Sequence, residues 1–458
     1  MAKSITKDMT EGNPFPLILK FSIPLVLGNL FQQLYNLVDT IIVGKVLGLN
    51  ALTAVGATTS INFLIIGFVL GTCNGLGVPI AQHFGAKRYD NMRKYVANAA
   101  YFGIIMAVIL TLATTLLCRQ ALTWMKTPKE IFEGSYAYFF VICLGIPFTI
   151  LYNTCAAIIR ALGDSRTPFL FLVLSTFLNI FMDLFFIIVL KSGVAGAAWA
   201  TILAQGISGA VCFTYMIRKY DVLKFKDGER RLNGRCMKTL FVSAVPMGLQ
   251  FSITAIGSIM MQSAVNMLDV VYVSAFAAGM KIKQLAICAY DGLATTCATF
   301  AGQNYGAGKI ARVKKGVGIG CAIGVAYSVI VGILMITCGS KIALLFVDAG
   351  ETKVLKEVQL YLTCTAFFYS FLVPVNCLRM TVQALGYGGL AMLSGVTELV
   401  ARALMSVVIT PMFGYIGVCF TDQAAWILAT IVITTIYVVI LKKLEKQIKN
   451  REGSQGNA

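Results

Sequence analysis

Apolar stretches of membrane-crossing length recur along the whole chain, each closed by a short polar connection. They fall at about 17–43, 54–81, 95–117, 134–159, 167–190, 193–217, 238–267, 272–301, 313–338, 357–383, 389–412 and 415–441. A helix needs ~20 apolar residues to cross a bilayer, so the pattern predicts twelve transmembrane helices and an all-α integral membrane protein. The first stretch is not uniformly apolar. Asn29, Gln32, Asn36 and Asp39 follow one another at intervals of three, four and three, which is one stripe at helical period. A carboxylate at Asp39 costs roughly 3 kcal/mol on insertion scales unless it faces a bundle interior or a watery cavity. The stripe therefore marks a transport helix, and Pro24 interrupts its hydrogen bonding near the start.

The pattern repeats. At an offset of 221, Ala81–Ala86 falls on Gly302–Ala307, Gly71 on Gly292, Ala54 on Ala275 and Lys94 on Lys315. With a shift of one or two residues, Pro24 falls on Pro246 and Arg160–Gly163 on Gln383–Gly386. Six helices per half, each half starting on the same membrane side, predict two lobes related about an axis along the membrane normal. The expected division is an N-terminal lobe over 1–217, a cytoplasmic linker at 218–237, a C-terminal lobe over 238–441 and a cytoplasmic tail at 442–458. The linker is polar and rich in basic residues, which reads as a solvated connection.

Composition narrows the class. The 458 residues are 58% hydrophobic and 13% charged, far below the quarter typical of soluble domains. The net charge of +18 does not indicate nucleic acid, because the basic residues lie between apolar spans. Alternate connections counted from the N-terminus hold 25 of them and the opposite side 8, which predicts cytoplasmic termini. No short apolar region with a small-residue cleavage site follows the polar first seventeen residues, so no removable signal peptide is expected. Thirteen cysteines form no CxxC pair, and the single histidine, His83, has no neighbouring ligand set, so no metal centre is expected.

Candidate chemistry rests on buried acids. Asp183 lies in the fifth span one turn after Asn179, at a depth similar to that of Asp39. Two carboxylates at one depth can share a proton or hold a cation, and Asn36, Asn153, Asn179 and Thr201 are neutral oxygens able to complete a shell. The second half lacks such a pair and instead carries Lys281, Lys283, Asp291, Arg379, Glu398, Arg402 and Asp422 within its spans. The spacing of Glu398 and Arg402 predicts an ion pair within one helix, and Asp422 is expected near the outer interface. Two soluble motifs fail. GQNYGAGKI has five residues between Gly302 and Gly308 and Ile310 where a phosphate loop needs Ser or Thr, and the glycines of GVGIG at 316–320 follow no strand. With no ATPase motif, transport would draw on an ion gradient.

Pro24 and Asp39 on the first helix, RALGDSRTP after the fourth, NIFMD on the fifth and GQNYGAGK after the eighth resemble the multidrug and toxic compound extrusion (MATE) family. The likeness spans about residues 12–441, and the acids on the first and fifth helices resemble its DinF-like branch. The resemblance implies two lobes working by alternating access and a coupling H+ or Na+ held in the N-terminal lobe. It places that ion at Tyr35, Asp39, Asn153, Asn179, Asp183 and Thr201, with Pro24 as the bend of the first helix. The acids that a NorM-like branch adds on the seventh and tenth helices are absent.

These observations predict a secondary antiporter that exports amphipathic organic cations from a cavity lined by Gln32, Asn36, Asp39 and Asp183. No cofactor is expected beyond the coupling H+ or Na+, and no metal beyond a Na+ at that site. The expected partners are cationic drugs and the lipid bilayer, with no nucleic acid, for a monomer in the cell membrane. One alternative is a flippase for a lipid-linked sugar, favoured by Lys281, Lys283 and Arg402. A membrane enzyme is the other, and it lacks a nucleophile with its base.

Overall fold

A computed structural model describes residues 6–455, and the described residues form helices and connections without strands. Among the described residues, ten helices are long and apolar enough to cross a membrane: α1 (Pro14–Leu47), α2 (Leu49–Gly85), α3 (Tyr89–Trp124), α5 (Arg166–Val189), α6 (Gly193–Lys219), α7 (Gly234–Val265), α8 (Val270–Gly306), α9 (Ile310–Ala343), α11 (Gly388–Phe413) and α12 (Tyr415–Gln447). Two more spans are bent. In α4, Lys129–Leu144 meets Ile146–Ala161 at 44°, and in α10, Thr352–Ala366 meets Tyr369–Ala384 at 54°. Hydropathy predicts the twelve spans but not the two bends, although Gly145 and Pro147 mark the break in α4.

The internal repeat is written into the backbone. Lys87 and Gly308, Gly163 and Gly386, and Gly193 and Gly414 are pairs with positive φ, separated by 221, 223 and 221 residues. Helices α2 and α8 are each 37 residues long. Helix α5 ends in a π-helical turn, Phe185–Val189, and α11 carries one at Met405–Ile409.

The chain divides into two compact units. The first comprises Leu27–Ser252 with the segment up to Asp8, and the second comprises Met9–Val26 with the chain from Ile253 onward. Helix α1 thus changes unit between Val26 and Leu27, just past Pro24, and α7 changes between Ser252 and Ile253.

Two of the sequence motifs serve the N-terminal segment. In RALGDSRTP, the Lys7 amide donates to the Leu162 carbonyl at 3.1 Å. A Cβ on Gly163 would lie 2.0 Å from the Lys7 carbonyl oxygen, so only glycine fits, at φ +85°. Asp164 then caps α5, accepting from the Arg166 and Thr167 amides and from the hydroxyls of Thr167 and Tyr220. In GQNYGAGK, the Met9 amide donates to Gln303 Oε1 at 2.8 Å, and Asn304 Nδ2 donates to the Met9 carbonyl at 3.1 Å. Lys309 Nζ donates to the Thr10 carbonyl. Met9 itself is buried in the core of the second unit, beside Ile18 and Phe21, a burial that contributes about 1.5–3 kcal/mol.

The glycines of GVGIG are helix-packing positions. A Cβ at Gly316 would meet Phe300 at 2.1 Å, and one at Gly320 would meet Cys297 Sγ at 2.4 Å, so α9 lies close against α8.

The connection 218–237 is largely exposed, as expected, but it is anchored to α3. Arg93 Nε and Nη2 donate to Glu229 Oε2 and Oε1 at 2.6 and 2.8 Å, and both side chains are buried. Asn98 donates to the Arg231 carbonyl and accepts from the Asn233 amide, while Tyr101 donates to the Arg230 carbonyl. The Arg93 guanidinium holds the Glu229 carboxyl down at about 2. The basic run is thus held on α3 by Glu229, by the pair of Lys226 with Asp90 at 3.3 Å and by a row of backbone bonds.

Candidate functional site

In the first unit, the second half of α1 brings Tyr35 and Asp39 to α5 and α6. Asp39 lies four residues before the π-helical turn Val43–Leu47, and Asp183 two residues before Phe185–Val189. Such turns re-aim side chains within a membrane helix and are frequent at functional sites. Asp183 is fully buried, at 0% exposure, and its carboxyl group abuts that of Asp39. No N–H or O–H donor from another described residue reaches either oxygen of Asp183 or Oδ1 of Asp39. Two bare carboxylates in contact in an apolar interior repel strongly. Such a pair is stable with a proton shared between the oxygens or with a cation beside them.

Neutral oxygens surround the pair. The hydroxyls of Tyr35 and Thr201 lie 3.1 Å apart, and Asn179 Nδ2 donates to Thr201 Oγ1 at 3.3 Å. Thr201 also donates to the Ala197 carbonyl, and Asn179 Oδ1 is left without a donor. Tyr138, on the first half of α4, is buried within Coulombic reach of both carboxylates. Sequence reasoning misses Tyr138 because it sits among other aromatic residues in an apolar run; a phenol tip inside a span was the available signal.

The structure therefore brings together Tyr35, Asp39, Asn179, Asp183 and Thr201. Asn153 is bound elsewhere: its Nδ2 donates to the Thr149 carbonyl at 2.8 Å, and the Thr149 hydroxyl donates to Gln205. Gln32 and Asn36 are exposed on α1, and no hydrogen bond joins them to the acids.

The second unit treats its charges differently. Lys283 on α8 pairs with Asp422 on α12, and Arg402 Nε on α11 donates to Asp422 Oδ1 at 3.0 Å. Arg379 on α10 pairs with Glu398 and donates from Nε to Ser394 Oγ at 2.8 Å. All five charged residues are between 3 and 5% exposed. The expected ion pair within α11 is present, with Arg402 Nη1 3.7 Å from Glu398, but Arg379 is the closer partner of Glu398 and Arg402 also extends to Asp422. Asp422, expected near the outer interface, is buried in the core of the unit between two cations. A Cβ on Gly257 would lie 3.0 Å from Arg402 Cδ, so the bare backbone of α7 makes room for the guanidinium stem. Asp291, by contrast, is exposed on α8, and no hydrogen bond or ion pair reaches its carboxylate among the described residues.

Twelve spans in a two-fold repeat, with a donor-free acid pair inside one unit, define a multi-pass membrane transporter. The MatE family model matches residues 24–185 and 246–408, once for each half and starting at Pro24 and Pro246, and the chain belongs to this family. A probable multidrug resistance protein YpnP of Bacillus subtilis is 28% identical over 379 residues, covering 83% of this chain and 84% of that protein. The multidrug export protein MepA of Staphylococcus saprophyticus is 21% identical over 415 residues, 90% of each. A crystal structure of MATE in complex with MaL6 superposes with a TM-score of 0.89 at 22% identity, over 97% of this chain and 100% of the other.

Proposed function

We propose that the protein is a secondary antiporter that exports amphipathic organic cations in exchange for H+ or Na+. The observation that carries this reading is the Asp39–Asp183 pair, which has no donor of its own. A proton or Na+ satisfies it in one state. When that ion leaves, the pair attracts an organic cation, so the two compete and exchange. Asn179 Oδ1, Thr201 and Tyr35 supply neutral oxygens for Na+, and a lone proton needs none of them. Pro24 leaves the Lys20 carbonyl without its helical donor, and α1 changes unit two residues later. Ion binding at Asp39 then biases the bend of α1, and alternating access follows from that bistable helix. The basic bias of 25 to 8 supports cytoplasmic termini in a plasma-membrane protein. The names of YpnP and MepA support drugs as the exported compounds.

A flippase for a lipid-linked sugar is the second reading, and the second unit weakens it. Such a protein needs free cations to hold a pyrophosphate, yet Lys283 and Arg402 are buried and paired with Asp422. Of the three candidate cations only Lys281 is exposed.

The test is reconstitution in vesicles with a cationic dye, driven in turn by an imposed pH gradient and an imposed sodium gradient. One of the two gradients is expected to drive dye movement. Movement under neither gradient, or movement of anionic dyes alone, would overturn the reading.

A further inference from the structure

We propose that the second unit holds the phosphate headgroup of an anionic phospholipid in a notch between the start of α1 and the start of α9. The notch has a volume of about 520 Å³ and is lined by Gly12, Asn13, Pro14, Ala311, Arg312 and Lys315. Its two charged side chains are both cations, one helical turn apart on α9. Arg312 is held in place: Nε and Nη2 donate to the Met9 carbonyl at 3.3 and 3.1 Å, and Nη2 donates to the Glu11 carbonyl at 2.8 Å. Carbonyl partners orient the guanidinium without cancelling its charge. Lys315 is exposed and has no hydrogen bond or ion pair among the described residues, whereas neighbouring Lys314 lies 4.0 Å from Glu445. No acid is among the lining residues.

A phosphate group fits this charge, and the surrounding surface decides which phosphate. Helix α1 starts in the notch and continues as a membrane span. Its Phe15, Leu19 and Ile23, spaced by four, are 50, 37 and 49% exposed, forming an apolar stripe that starts one residue after the notch. A ligand with a phosphate and an acyl chain matches both features, and a soluble phosphate matches only the first. Basic residues just outside a span attract anionic headgroups by about 1 kcal/mol each, which is a factor of about five in occupancy. An occupied notch also engages Arg312, the side chain that holds Met9 and Glu11, so the lipid would reinforce the seat of the N-terminal segment.

The experiment uses the purified full chain and native mass spectrometry to count retained lipids, comparing phosphatidylglycerol with phosphatidylcholine of the same acyl chains. Preferential retention of phosphatidylglycerol is expected, weakened about fivefold by Lys315→Ala and little changed by Lys314→Ala. Glycerol 3-phosphate added in excess should not displace the lipid. Equal retention of the two lipids would overturn the proposal. So would equal losses in the two lysine variants, which signify diffuse surface charge, and so would displacement by glycerol 3-phosphate, which signifies a site for soluble anions.

Discussion

The two units place different chemistry at one position of the repeat. Thr201 and Asp422 are 221 residues apart, each eight residues after a positive-φ glycine, Gly193 or Gly414. In the first unit that position is a hydroxyl bonded to Tyr35 and Asn179, beside two carboxylates that lack donors. In the second it is a carboxylate between Lys283 and Arg402. A buried acid held by two cations stays ionised and fixed in place. A buried acid facing another acid changes state whenever an ion arrives or leaves. The fold tolerates both, and the difference fits the exchange chemistry proposed for the first unit and a bracing role for the second.

The sharpest way to break this comparison is to neutralise one acid in each unit. Asp39→Asn or Asp183→Asn should reduce gradient-driven dye efflux per folded protein by at least about a hundredfold, and the double variant should be no worse, because the pair acts as a unit. Protein yield and thermal stability should hold, since neither acid loses a cation partner. Asp422→Asn should do the reverse. It strands Lys283 and Arg402 in the interior, a loss of roughly 3–5 kcal/mol that lowers yield and the unfolding temperature. Efflux assays and size-exclusion profiles on the same four samples separate the cases. Stable Asp422→Asn protein together with unfolded Asp183→Asn protein would reverse the assignment.

A smaller effect sharpens the contrast outside the membrane. The Glu229 carboxyl sits at about 2 in the folded protein against an ordinary value of 4.5. A depressed carboxyl stabilises the fold above its unfolded pKa, and that contribution fades as pH falls from about 4.5 towards about 2. Proteolysis within 218–237 should therefore rise over this window and be raised already at pH 7 in Glu229→Gln. Unchanged cleavage across it would mean that the backbone bonds to Asn98 and Tyr101 suffice.

Much of the fold was legible because hydropathy and helical period report burial directly. The twelve spans, the repeat, and the Asp39, Asn179, Asp183 grouping all follow from spacing along single helices. What was not legible depends on partners distant in the chain. The choice of Arg379 over Arg402 by Glu398 is set by how α10 packs on α11, and the burial of Asp422 by cations from α8 and α11. The anchoring of 218–237 to α3 was not legible either, because it rests on Glu229 meeting Arg93 and on Lys226 meeting Asp90, partners more than a hundred residues away. The bends in α4 and α10 leave composition unchanged, so hydropathy passes over them.

The crossing of α1 between units has a consequence for how the chain is made. Met9–Val26 leaves the ribosome well before the rest of its unit, whose remaining parts begin at Ile253. At about 5–20 residues per second, those parts follow on the order of ten to fifty seconds later. Until then the Met9 side chain and the α1 face around Val26, which will meet Gly292, have no partner. The newborn first half must wait in the membrane with its leading helix only half seated. Synthesis of the second half thus brings a docking step that a chain of two independent halves would not need.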